Sequence, residues 1–303
     1  MDLSDLYHLE SDVEQEPDRP GVLLVLLGGF VDAGQVQQVL SEHLLETGDP
    51  EVVATFDVDQ LLDYRSRRPA MVFDTSRWVE YDDPAMLVQR LTDRDGQTYY
   101  VLTGPEPDHQ WERTVEAVIQ LSDRIGVTLV VSAHGIPMGV PHTRPVGMTT
   151  HATDDSLVGE VRSPFGRVQV PASFSALLEL RLGESGRDAL GFAVHVPHYL
   201  ATTEWAEGAL AALNAVTDAT GLNLPNDDLV AKARVNQQAI AAEVEGSDEA
   251  RQVITALEQQ YDAFVEGQER PSLLATEAPE IPSADELGAE FEDFLRHVSD
   301  DDR

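Results

Sequence analysis

Between Gly21 and Gly28 stand six consecutive aliphatic residues, Val22-Leu23-Leu24-Val25-Leu26-Leu27. A run that short and that apolar reads as a strand buried on both faces, which makes it a central strand of a parallel sheet. The glycine-rich stretch Gly28-Gly29-Phe30-Val31-Asp32-Ala33-Gly34 follows it. Val36, Val39, Leu40, His43 and Leu44 then recur at helical spacing up to Gly48. Strand, glycine-rich turn and amphipathic helix in that order form half of a βαβ unit. A layered α/β domain is what such a unit can be built into.

The rhythm continues downstream. Val52 to Val58 and Met71 to Phe73 read as strands, and Met86 to Leu91 with Thr98 to Leu102 as a hairpin turning at Asp95-Gly96. His109 to Ile125 has helical periodicity, ends at Gly126 and leads into a strand at Val127 to Val131. Strands are expected at 147–151, 167–170 and 190–196. Helices are expected at 172–182 and at 203–219, the latter capped by Thr203. This alternation predicts a three-layer α/β/α domain with a mostly parallel sheet. The expected organisation is an acidic arm over 1–20, the α/β/α core over 21–225, and a helical hairpin packed on it over 226–266. An acidic linker over 267–303 carries a short amphipathic helix with Leu287, Phe291, Phe294 and Leu295 on one face.

Charge and cysteine usage remove whole classes of function. The chain has 20 basic against 55 acidic residues, a formal net charge of -35, so a phosphate backbone is repelled and nucleic acid is not expected as a partner. Without cysteine there is no disulfide, no thiolate nucleophile and no thiolate metal site, and no His-Glu-x-x-His spacing supplies another. No metal and no cofactor are expected. No apolar run approaches the roughly 20 residues that cross a bilayer, and the residues before Val22 are acidic, unlike a signal peptide. The expected location is the cytoplasm, with no membrane contact. Lys232 is the sole lysine, a bias toward arginine that reads as genomic.

Three features could bind something. Gly28, Gly29 and Asp32 lie where exposed backbone N–H groups at a helix N-terminus cradle an anion, although neither a dinucleotide fingerprint nor a phosphate loop is present. The alternative, and the favoured one, is a tight turn with Asp32 capping the helix. His134, His142, His151, His195 and His198 gather after expected strand ends, with Arg144 among them; ligands of open α/β sheets bind at that edge. They form either a pocket or a polar rim of loops. Arg65, Arg67 and Arg68 cluster in an acidic chain, as an anion site or as structural and interfacial ion pairs, with pairing favoured. A candidate ligand pocket thus comprises Gly28, Gly29, Asp32, Arg65, His134, His142, Arg144 and His195. A candidate interface comprises Arg67, Arg68, Phe291 and Phe294.

Gly28 to Gly34, Leu62 to Pro69, Thr103-Gly104-Pro105-Glu106-Pro107-Asp108 with Trp111, and Gly135-Ile136-Pro137 through Val140-Pro141-His142-Thr143-Arg144-Pro145 together resemble the bacterial branch of the proteasome-assembly-chaperone-like family, its actinobacterial members especially. The match spans about residues 20 to 265 in the order of its motifs. The resemblance implies an α/β/α domain similar to nucleoside phosphorylases and related hydrolases, an added helical segment, and homo-oligomers, trimers among them. It implies no catalytic residue. The eukaryotic branch ends in a hydrophobic-Tyr-any motif, where this sequence has Asp301-Asp302-Arg303. Two functions remain in view: a non-catalytic assembly chaperone or scaffold acting through itself and another protein, and a small-molecule hydrolase or phosphorylase-like enzyme for an anion or nucleoside-like ligand.

Overall fold

A computed structural model describes residues 5–10, 21–158 and 166–269. The acidic arm up to residue 20 lies mostly outside these, and the tail helix with Phe291 and Phe294 wholly so. Ten strands are present among the described residues: β1 (Tyr7–Leu9), β2 (Gly21–Gly28), β3 (Glu51–Phe56), β4 (Met71–Asp74), β5 (Arg77–Tyr81), β6 (Met86–Thr92), β7 (Thr98–Pro105), β8 (Val127–Met138), β9 (Met148–Ala152) and β10 (Asp188–Pro197). The helices are α1 (Val36–Thr47), α2 (Trp111–Ile125), α3 (Asp155–Val158), α4 (Phe174–Glu184), α5 (Ala206–Thr220), α6 (Asp227–Glu245) and α7 (Asp248–Glu269). Eight strands form one sheet in the order β1-β3-β6-β7-β2-β8-β10-β9, and β4 pairs with β5 alone.

The middle of the sheet, β7-β2-β8-β10, is parallel, and antiparallel strands extend it on both sides. β2 shows why its sequence is aliphatic throughout. Val22, Leu24 and Leu26 point into a core formed with α1, α5 and α6, while Leu23, Val25 and Leu27 point into a second core formed with α2 and α4. Each face of the sheet is therefore covered by helices, giving the three layers expected from the alternation. Trp205 is the largest of the fully buried side chains and packs in the first core. α6 contributes Leu229, Ala233 and Ile240 to that same layer. The chain falls into two compact units, Met1–Glu258 and Gln259–Arg303, the described part of the second being the end of α7.

Three local expectations are corrected. Residues 167–170 form no strand, and Val168 and Val170 are exposed. Thr203 does not cap α5: its hydroxyl donates to the Leu200 carbonyl, and the helix starts at Ala206. β8 runs on to Met138, beyond the expected end at Val131, because β10 pairs with it along that whole length.

Candidate functional site

At the carboxyl ends of the parallel strands, the β2–α1 connection leads to one face of the sheet and the β7–α2 connection to the other. This is the switch point at which open α/β sheets hold their ligands. Here Asp32 fills one half of it. A short 3-10 turn at Ala33–Gln35, with Gly34 and Gln35 both in the left-handed region (φ 67° and 53°), turns the chain so that the Asp32 carboxylate reaches back over the start of α1. The carboxylate accepts from the N–H of Gln37 at 2.9 Å, of Gln38 at 3.1 Å and of Gly135 on β8 at 3.1 Å. Burial raises its pKa, and those N–H groups oppose the rise. The donors an external anion would use are thus already engaged.

Glu106 fills the other half. It follows β7, is buried, and accepts from the N–H of Phe174, the first residue of α4, at 2.5 Å. Its own N–H donates to the Gly28 carbonyl, and its carboxylate lies so close to Gly29 that a Cβ there would sit 3.4 Å from it. Gly29 thus lies in contact with an internal carboxylate, and Gly28 is tied to the Glu106 backbone. Sequence reasoning did not nominate Glu106 as a site residue, although its place directly after a strand and between two prolines was a usable signal.

The remaining nominated residues fall into separate hydrogen-bonded groups. His134 lies within β8, opposite Ala193 of β10, and not in a loop. Burial and the neighbouring His151 hold its pKa down at about 4, against the pull of Glu179. His151 on β9 contacts the Glu179 carboxylate of α4 through Nδ1 at 2.8 Å. Its ring lies over Gly191, where a Cβ would come within 2.0 Å of it. Ser132, Ser175 and Glu179 share a cavity of about 10 Å³ on this face, the size of a single water.

His142 sits past the end of β8, where its backbone N–H donates to the Tyr199 hydroxyl at 2.9 Å and its Nδ1 lies 2.7 Å from the same oxygen. Burial lowers the His142 pKa and raises that of Tyr199. Arg144 pairs with Glu258 of α7 at 3.2 Å, and Thr143 donates to the same carboxylate at 2.5 Å, so this loop is fastened to α7. His195 on β10 contacts the Thr149 hydroxyl at 2.8 Å, with its pKa lowered by burial. Arg65 is largely exposed and pairs with Asp63, Arg67 pairs with Asp108 at 3.0 Å, and Arg68 is exposed. A surface groove of about 420 Å³ between α2 and α4 is lined by Glu112, Arg181 and Glu184 and by none of the nominated residues. Among the described residues no group of three His, Asp or Glu is placed to hold a metal ion, and no helix is long and apolar enough to cross a membrane.

Asp32→Ala is expected to cost about 2 kcal/mol in urea unfolding, since it strips a cap and leaves the Gly135 N–H without its acceptor. A loss below about 0.5 kcal/mol would mean that water serves those donors equally well.

Among solved structures the chain is similar to actinobacterial proteins. A Mycobacterium tuberculosis protein of unknown function, Rv2714, is 41% identical, with a TM-score of 0.83 over 88% of this chain and 91% of that one. A Corynebacterium glutamicum protein of unknown function is 34% identical, with a TM-score of 0.82 over 88% of this chain and 100% of that one. The M. tuberculosis proteasome-assembly chaperone homologue Rv2125 shares the fold at 22% identity, with a TM-score of 0.70 over 77% and 99% of the two chains. No match is found among curated proteins. The family model for PAC2 matches residues 26–244, a span that takes in the β2–α1 turn, the Glu106 carboxylate, the His142 loop and most of α6; the chain belongs to the PAC2 family.

Proposed function

We propose that the chain is a non-catalytic assembly chaperone or scaffold, a cytoplasmic homo-oligomer of the kind the family resemblance implies, that acts on another protein and needs no cofactor. One observation supports this above the others. The switch point, where a phosphorylase or hydrolase of this architecture would hold its anion, is occupied by the chain's own Asp32 and Glu106 carboxylates. What remains for function is protein surface. The net charge of -35 weighs against nucleic acid as the partner. The likeness of fold to a protein named as a proteasome-assembly chaperone homologue points in the same direction.

The enzyme reading keeps one specific support, the grouping of His134, His151 and Glu179, with Glu179 and Ser132 lining the same small cavity. Affinity purification of the full chain from its native host, with mass spectrometry of bound proteins and small molecules, separates the two. The scaffold reading expects a stoichiometric protein partner that survives His134→Gln. Recovery of a bound small molecule and no protein would reverse the assignment.

A further inference from the structure

Under α4 the sheet changes character. Val25, Val130 and Ala189 pack there with Leu178 of the helix in an apolar layer. Two residues beyond Val130, on the same face of β8, stands Ser132, which is 8% exposed and pairs with Val25 on one side and Gly191 on the other. A hydroxyl buried at such a place costs free energy unless it is hydrogen-bonded. The helix meets it with polar groups of its own. Ser175 and Glu179 stand four apart on α4 and so share a face, and with Ser132 they line the cavity of about 10 Å³. Gly191 occupies the row between Ser132 and His151, and the His151 ring lies across it where a side chain would otherwise be. From that position Nδ1 reaches both Glu179 oxygens, at 2.9 and 2.8 Å.

We infer that this cavity is a binding site for one ordered water molecule, which bridges the Ser132 hydroxyl of β8 to the Glu179 carboxylate of α4. Size admits nothing larger, since a single water takes up about 10–15 Å³ of such space. The chemistry fits as well. A buried water makes two to four hydrogen bonds, and the lining offers two hydroxyls that donate or accept and a carboxylate that only accepts. The water donates to Glu179 and accepts from a serine hydroxyl. Glu179 has room for it, because an ionised carboxylate takes about four hydrogen bonds and the single Nδ1 hydrogen of His151 is shared between its two oxygens. The bridge has a structural consequence. β9 is an edge strand of the sheet, fastened through His151 to Glu179, and the water extends that tie to β8, the neighbour of β2. One carboxylate then joins helix, edge strand and central strand, a device that belongs to the fold and does not depend on the partner proposed above.

A crystal structure of the full chain, at a resolution that shows ordered waters, tests this directly. The expected result is one spherical peak in the cavity, with contacts of about 2.6–3.0 Å to Ser132 Oγ and to a Glu179 oxygen. A Ser132 hydroxyl bonded straight to Glu179 with no peak between them overturns the inference. So does a peak with several oxygen contacts of about 2.3–2.5 Å, which marks a hard cation and not a water. Urea unfolding of Ser132→Ala gives an independent reading, because the sign of the effect separates a wet cavity from a dry one. Where the hydroxyl is bonded to a water, its removal lowers the urea midpoint, by about 0.3–0.5 M. In a dry cavity the hydroxyl is a buried polar group without a partner, and its removal leaves the midpoint unchanged or raises it. Either of those two outcomes overturns the inference.

Discussion

Gly135→Ala is expected to cost about 3–5 kcal/mol, a large part of the roughly 5–15 kcal/mol that holds a domain of this kind together. A Cβ at this position would lie 1.9 Å from the Ala33 carbonyl oxygen, which is backbone and cannot swing aside. The β2–α1 connection would have to lift off β8, and the Gly135 N–H would then leave the Asp32 carboxylate. Overpacking and loss of a cap are combined in one methyl group. Gly139→Ala, four residues on and with nothing near its Cβ, is the matched control and should change stability by less than about 0.5 kcal/mol. If urea titration finds the two variants alike, the turn does not cross β8 as closely as those distances require.

His134 should make the protein sensitive to mild acid. Its pKa is about 4 in the folded chain against an ordinary 6.5, so the unfolded chain takes up the proton first as pH falls. The stability it contributes is complete above pH 6.5 and is lost as pH drops through the interval to 4, by up to about 3 kcal/mol. His151 and Glu179 are the titratable groups that act on it, the first lowering its pKa and the second raising it. Asp32 contributes with the opposite sign: a carboxyl whose pKa is raised by burial gives stability that declines as pH rises past its unfolded value of 3.8. Comparing wild type with His134→Gln at pH 7, 5.5 and 4.5 isolates the histidine. The variant should lose less stability over that range, and parallel curves would show that the burial of His134 is not felt.

Much of the layered core is legible in the sequence, because buried strands and amphipathic helices write their environment into their residue pattern. β2 is uniformly aliphatic because both faces are covered, and α2 ends at Gly126 because only glycine takes its φ of 76° readily. β5 was missed for a physical reason. Arg77-Trp78-Val79-Glu80-Tyr81 buries neither face in its own chain, and a bulge breaks its alternation, so no period of two survives. The extension of β8 through Ser132 to Met138 escaped for a related cause. Its hydrogen bonds are set by β10, which lies far along the chain, and local composition says nothing of that.

The candidate site is less legible. The sequence placed histidines after strand ends, whereas His134, His151 and His195 lie within strands and only His142 and His198 lie beyond them. The capping role of Asp32 could be read from its position. That Glu106 would occupy the N-terminus of α4 could not, since the two are joined only by the folded sheet.

The central position of β2 bears on how the chain emerges from a ribosome. Leu27 finds its neighbour at Gly104, and the opposite edge of β2 waits for residues 127–132, so no strand adjacent in sequence can shelter it. At the pace of synthesis, about 5–20 residues per second, the separation of about 77 residues between Leu27 and Gly104 leaves the most apolar strand of the protein unpaired for roughly 4–15 s. A nascent chain in that condition is a substrate for holding factors, and pauses placed before residue 98 would lengthen its exposure.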